Sequence, residues 1–246
     1  MEHPRFTDMR GIERDLSGDP AYAKLGKAIR LATLAQSCKS DLAQAVSCCS
    51  TLRDLLRSPR KRGTLERSTT ENALLFNAVS LYGRATATVG KDQERGSINI
   101  TAKLSADQLL DHTALVTLRN RGLAHVYDRE IVSDEVWHTD SLFLVERPGE
   151  GWLPSAVSSR LQFDLRTLER LERQLPVADA ILSQRFHDGL ALLQEVMRAE
   201  PAPLAVFEGN VFDPVPVFGS PAGVQMALDG IADGHATGLL RGSPKV

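Results

Sequence analysis

The segment Leu118-Arg119-Asn120-Arg121-Gly122-Leu123-Ala124-His125 sets a fixed cation, a carboxamide and a titratable imidazole within about two helical turns. Arginine stays charged, and its planar fork matches phosphate oxygens. Histidine exchanges protons near neutral pH, which suits a general acid or base. Asparagine can orient a neighbouring side chain or a substrate hydroxyl. The set suits cleavage of RNA without a metal: the 2′-hydroxyl attacks the adjacent phosphate and fixed charge stabilises the transition state. Spacing sets a limit. On an ideal helix Arg119 and His125 lie roughly 120° apart around the axis and about 9 Å apart along it, so they do not meet as plain neighbours. Gly122 must then mark a distortion or a helix end, or the second group must come from another protomer. His112, seven residues before Arg119, shares its face and is an auxiliary candidate.

Arg119, a polar residue, and His125 after a short spacer resemble the motif of HEPN-domain ribonucleases. Tyr82-Gly83-Arg84 on one helix and Asp111-His112 ahead of Arg119 extend the resemblance over residues 65 to 130. It implies an antiparallel helical bundle, usually dimeric, of the toxin or abortive-infection type. In such proteins a composite cleft forms at the dimer interface. The catalytic set would be Arg119, Asn120 and His125, with His112, Tyr82 and Arg84 auxiliary. It also implies an RNA substrate, a homodimer, and an antitoxin or other partner protein. No cofactor and no metal are expected.

The elements that must carry these residues read as mainly α. Apolar residues make up 42% of the 246 and aromatics only 5%, so Leu, Ala and Val must fill the core, which favours helix packing. A helical stripe starts at Pro20 with Leu25, Ile29 and Ala32. It continues or restarts after Ser40 through Leu42, Val46, Cys49, Leu52 and Leu56, and ends at Ser58-Pro59. Ser68-Thr69-Thr70-Glu71 has the form of a capping box opening a helix over 72–88, and Ser105 to Gln108 forms a second. Residues 140–160 read as a β-hairpin with its tip at Pro148-Gly149-Glu150-Gly151. Asp164 caps a helix with Leu165, Leu168, Leu171 and Leu175, which Pro176 kinks or divides. Phe186, Leu190, Leu193 and Met197 continue a core-facing stripe. Residues 1–19 read as an irregular arm, 20–199 as the bundle with its hairpin insertion, and 200–246 as a poorly ordered Pro/Gly-rich tail with one weak helix near 224–231.

The formal net charge of −2 means any nucleic-acid site is a local patch. Arg53, Arg57, Arg60, Lys61, Arg62 and Arg67 offer one, either tracking a phosphate backbone or forming a solvated helix end. Cys38, Cys48 and Cys49 lack metal spacing and read as reduced thiols. No apolar run is long enough to cross a bilayer, and the expected compartment is the cytoplasm. Bland readings stand beside the sharp ones. His125 could close a helix, Arg119 and Arg121 could complement a helix dipole, and Tyr82 and Arg84 could simply pack. Trp137, His138 and Trp152 read as hairpin packing, and His187 and Asp188 as surface. Nucleotide-loop, esterase and zinc-protease motifs are absent from the sequence. The alternative to an enzyme is a non-catalytic helical module for dimerisation or for binding a partner or RNA.

Overall fold

The structure is a computed structural model that describes residues 6–59, 63–88, 95–123, 129–199 and 204–232. It is mainly helical, with two small antiparallel hairpins. The chain divides into two compact units, residues 34–186 and the two terminal stretches 1–33 and 187–246.

In the central unit four helices share one core: α2 (Ala23–Arg57), α3 (Leu65–Thr86), α4 (Ala106–Thr117) and α5 (Leu165–Ala199). Leu42, Cys49 and Leu52 from α2, Leu75, Val79 and Tyr82 from α3, Leu115 from α4, and Leu168, Leu171, Leu175 and Leu182 from α5 are all buried in it. Cross-helix bonds give the directions. Asp41 meets Arg84 while the Leu55 carbonyl accepts from Arg67, so α2 and α3 run antiparallel. Arg53 meets Glu172 and Lys39 lies over the Phe186 ring, so α2 and α5 do the same.

α2 is continuous through Ser40. α3 begins seven residues earlier than the predicted capping box suggests. Gly63 takes φ +81, Thr64 turns extended, and the Thr64 hydroxyl accepts from the Arg67 amide at 3.3 Å. This cap comes first, so Ser68 lies inside the helix. The capping box at Ser105 and Gln108 is present, and Asp164 accepts from the Arg166 and Thr167 amides ahead of α5. α5 runs through Pro176 without dividing, and the ring sits on the exposed side.

The predicted hairpin is present. β3 (His138–Arg147) pairs with β4 (Gly151–Arg160), with Arg147 opposite Gly151 and the Gly149 φ of +82 that a Pro-Gly turn requires. Before it lies a hairpin not legible in the sequence, β1 (Ile131–Val132) with β2 (Glu135–Val136). Its turn residues Ser133 and Asp134 both have positive φ, without the usual Asn-Gly. Tertiary bonds hold them there: Ser133 Oγ donates to the Ala114 carbonyl at 2.7 Å, and Arg170 Nη2 donates to Asp134 at 2.7 Å.

In the terminal unit, residues 1–19 are not simply an irregular arm. Asp8 caps α1 (Met9–Asp15) and Ile12 is fully buried. Its partners come from the region expected as a tail, which carries α6 (Leu204–Gly209), α7 (Val215–Phe218) and α8 (Pro221–Ala232). Val206 and Phe207 pack against Ile12, and the Asp8 amide donates to the Asn210 carbonyl at 2.8 Å. Each stretch supplies the apolar surface the other needs. Within this unit Gly189 is buried against the Ala32 backbone at 3.1 Å, so Gly189 and Val196 face inward while Leu190 remains 37% exposed.

Candidate functional site

α4 does not stop at Thr117. It passes into six π-helical residues, Leu118–Leu123, a distortion of the helix around Gly122. Such wide turns recur at functional sites because they re-aim side chains that a regular helix would hold in register. Gly122 is buried in this turn. A Cβ there would lie 2.5 Å from Leu118 Cδ1 and 3.5 Å from the Trp137 ring. The Gly122 carbonyl faces His138 Nε2 at 2.8 Å, and the Trp137 indole donates to the Val132 carbonyl at 3.0 Å. The small hairpin therefore braces the turn from outside.

Arg119 leaves the turn across α3. Its stem lies over Gly83, where a Cβ would come within 3.2 Å of Arg119 Cγ. Its Nη1 donates to Asn120 Oδ1 at 2.8 Å. Among the described residues no carboxylate pairs with Arg119. Its side chain lines an open cleft of about 320 Å³ together with Asn77, Ser80, Leu81, Arg84 and Leu123. Leu123 stands two positions before His125, which itself lies outside the described residues.

Arg84 is fixed by Asp41, which accepts from both Nε and Nη2. The Asp41 side chain is 9% exposed and also takes Arg95 Nη2 at 2.6 Å. Arg95 in turn donates to Ser37 Oγ at 2.8 Å and to the Arg84 carbonyl at 3.1 Å. Among the described residues Asp41 is the one carboxylate pairing with Arg84, Arg95 or Arg119. The cluster keeps excess positive charge, and Arg84, its Nε and Nη2 taken by Asp41, keeps Nη1 to offer an anion.

Tyr82 and His112 do not join this cleft. The Tyr82 hydroxyl and His112 Nδ1 are 2.7 Å apart and both residues are buried. Desolvation pushes the His112 pKa down and the Tyr82 pKa up, so both stay neutral near pH 7. His112 and Arg119 meet consecutive positions of α3, Tyr82 and Gly83, the first buried and the second beside the cleft.

Three members of the basic cluster, Arg53, Arg57 and Arg67, lie among the described residues. Arg53 gives both Nε and Nη2 to Glu172 at 2.6 Å each. Arg67 is buried and bonded to Glu71 at 2.8 Å and to the Leu55 carbonyl. Arg57 lies 3.9 Å from Asp54 and keeps 78% of its side chain exposed. Arg60, Lys61 and Arg62 lie outside the described residues. No group of His, Cys, Asp or Glu among the described residues could hold a metal ion. No described helix is long and apolar enough to cross a membrane.

The sequence reading missed Asp41, Arg95, Asn77 and Ser80. The last two carried a usable signal: Asn77, Ser80 and Arg84 stand at i, i+3 and i+7, one polar stripe along the otherwise apolar C-terminal half of the helix. Asp41 and Arg95 carried none, because 54 positions separate them. Comparison with family models, curated proteins and solved structures gives no significant match for this chain.

Proposed function

We propose that the chain is a metal-independent endoribonuclease of HEPN type, acting as a homodimer. Arg119 grips the scissile phosphate, Arg84 shares its charge, Asn120 holds Arg119 in place, and His125 moves the proton. The 2′-hydroxyl attacks phosphorus and gives up its proton. The bond to the 5′-oxygen breaks and that oxygen takes a proton. The products are a 2′,3′-cyclic phosphate and a 5′-hydroxyl end. The observation that supports this reading best is Arg119, a cation with no described carboxylate partner, aimed with Arg84 into a solvent-open cleft.

The test is cleavage of a fluorogenic RNA by purified protein in excess chelator. Positioned acid–base catalysis contributes roughly 10²–10⁴-fold, so His125→Ala should lose at least 10²-fold, with an unchanged helical circular dichroism spectrum. Arg119→Ala should lose comparably, since it removes charge placed for the transition state. Undiminished cleavage by either variant ends the assignment.

A non-catalytic module for dimerisation or partner binding is a second reading, favoured by the β3–β4 hairpin. Leu142 is 82% exposed, Leu144 61% and Trp152 62%, an apolar surface that a lone hairpin does not cover. An RNA-inert chain that still dimerises through this hairpin would satisfy that reading and refute the first.

A further inference from the structure

The cleft at Arg119 is chemically divided along its length. Asn77, Ser80 and Arg84 lie on one face of α3, so about 10 Å separates Asn77 from Arg84 at 1.5 Å per residue. One end presents two guanidiniums, Arg84 and Arg119. The other presents a carboxamide and a hydroxyl without a charge. Leu81 and Leu123 supply its apolar lining. A cationic end, an apolar lining and a neutral hydrogen-bonding end suit the phosphate, ribose and base edge of a nucleotide. At about 320 Å³ the cleft is at the small end of ligand sites, with room for one nucleotide and none for a base pair.

Asn77 has capacity to spare. Its Nδ2 donates one hydrogen bond, 3.4 Å to Cys48 Sγ, which leaves its second amide hydrogen, and its Oδ1 accepts from no described residue. A carboxamide offers a donor and an acceptor side by side, which can bond a base edge at two points. Among the described residues no aromatic side chain lines the cleft, so what they offer a base is contact at its edge and not a stacking face. A base inside an A-form helix keeps its edge paired and its faces stacked, out of reach of Asn77.

We propose that this cleft holds one unpaired nucleotide of single-stranded RNA, its phosphate on Arg84 and Arg119 and its base edge on Asn77 and Ser80. The proposal rests on the ribonuclease reading for its choice of RNA. It adds a base-reading contact, Asn77 with Ser80, that makes binding selective for the base beside the held phosphate.

The test measures fluorescence anisotropy with the full chain carrying His125→Ala, so that bound RNA is not cut. The probes are four short labelled homopolymers and one labelled RNA duplex. Single strands should bind at least tenfold more tightly than the duplex, and one homopolymer should be preferred. A two-point amide contact discriminates by roughly 5- to 100-fold. Adding Asn77→Ala should flatten that preference with little change in mean affinity, which an exposed position permits without unfolding. Adding Arg84→Ala should weaken all four homopolymers alike. Equal binding of duplex, or a preference that survives Asn77→Ala, overturns the proposal. Selective binding of single strands without cleavage by the His125-containing chain would sink the ribonuclease reading and keep this one. Cleavage with a base preference untouched by Asn77→Ala would do the reverse.

Discussion

The imidazole of His112 faces inward to a phenol, which fixes what acid does to the fold. Burial holds its pKa below the ordinary 6.5, so the unfolded chain binds a proton that the native chain resists. The sign follows: stability rises with pH through this window and is lost as pH falls from about 6.5 toward the lower native value. Urea titrations between pH 7.5 and 5 should show a midpoint that declines on acidification, and His112→Gln should flatten the decline. A wild-type curve no steeper than the variant's would exclude this account. Tyr82→Phe leaves Nδ1 buried without its partner and should cost about 1–3 kcal/mol at pH 7, read from the same titrations. The same burial keeps Cys49 inert, its thiol pushed up to about 12. Residue types and spacing grouped Tyr82, Arg84, His112 and Arg119 as one cleft. They could not tell which would face water, because consecutive positions of a helix point about 100° apart. Arg84 and Arg119 reach the opening, while Tyr82 fills the core.

Gly83 ties α3 to the π-helical turn, and it separates stability from function. Glycine inside a helix costs roughly 0.5–1 kcal/mol relative to alanine. The Cβ of Gly83→Ala would meet the flexible stem of Arg119, at 3.2 Å from Cγ and 3.3 Å from Cδ. The variant should therefore melt no lower than the wild type in a calorimeter while losing RNA affinity, because Arg119 must swing away from the cleft. A lower melting temperature would show that the contact is structural. Gly122→Ala differs, since its Cβ would strike Leu118 deep in the core, and it should destabilise. The apolar run Leu142 to Val145 and the Pro-Gly tip made β3 and β4 legible in the sequence, but not what covers them. Leu142, Leu144, Trp152, Pro154 and Ala156 share one face of the hairpin, and Phe143, Val145, Leu153 and Val157 share the other. Both faces are apolar, whereas a free-standing hairpin ordinarily keeps one polar. If a second copy covers them, light scattering should give a dimer for the wild type. Leu144→Asp with Trp152→Glu should then give a folded monomer, and a monomeric wild type would refute the arrangement.

The least legible regions lie at the chain ends. α1 and α6 complete each other's core across about two hundred positions, and a Gly11 Cβ would lie 2.0 Å from Asn210 Oδ1. Local pattern cannot announce a glycine needed by an asparagine so distant, so each stretch read alone as arm or tail. Charge, in contrast, is legible from composition and bears on the proposed RNA binding. With 29 basic against 31 acidic side chains the molecule as a whole gives no bulk attraction for RNA. Arg53 and Arg67 are committed to Glu172 and Glu71. On the proposed reading binding rests on few phosphate contacts: Arg119, and Arg84 through the Nη1 that Asp41 leaves over. For single strands log K falls with log salt at roughly 0.7 per phosphate neutralised, so two contacts give a slope of about −1.4. Anisotropy titrations across salt should return that shallow slope, and Arg119→Ala should reduce it by about 0.7. A slope of about −4 or steeper would show a broad basic surface carrying the affinity, with the exposed Arg57 the first place to look for it.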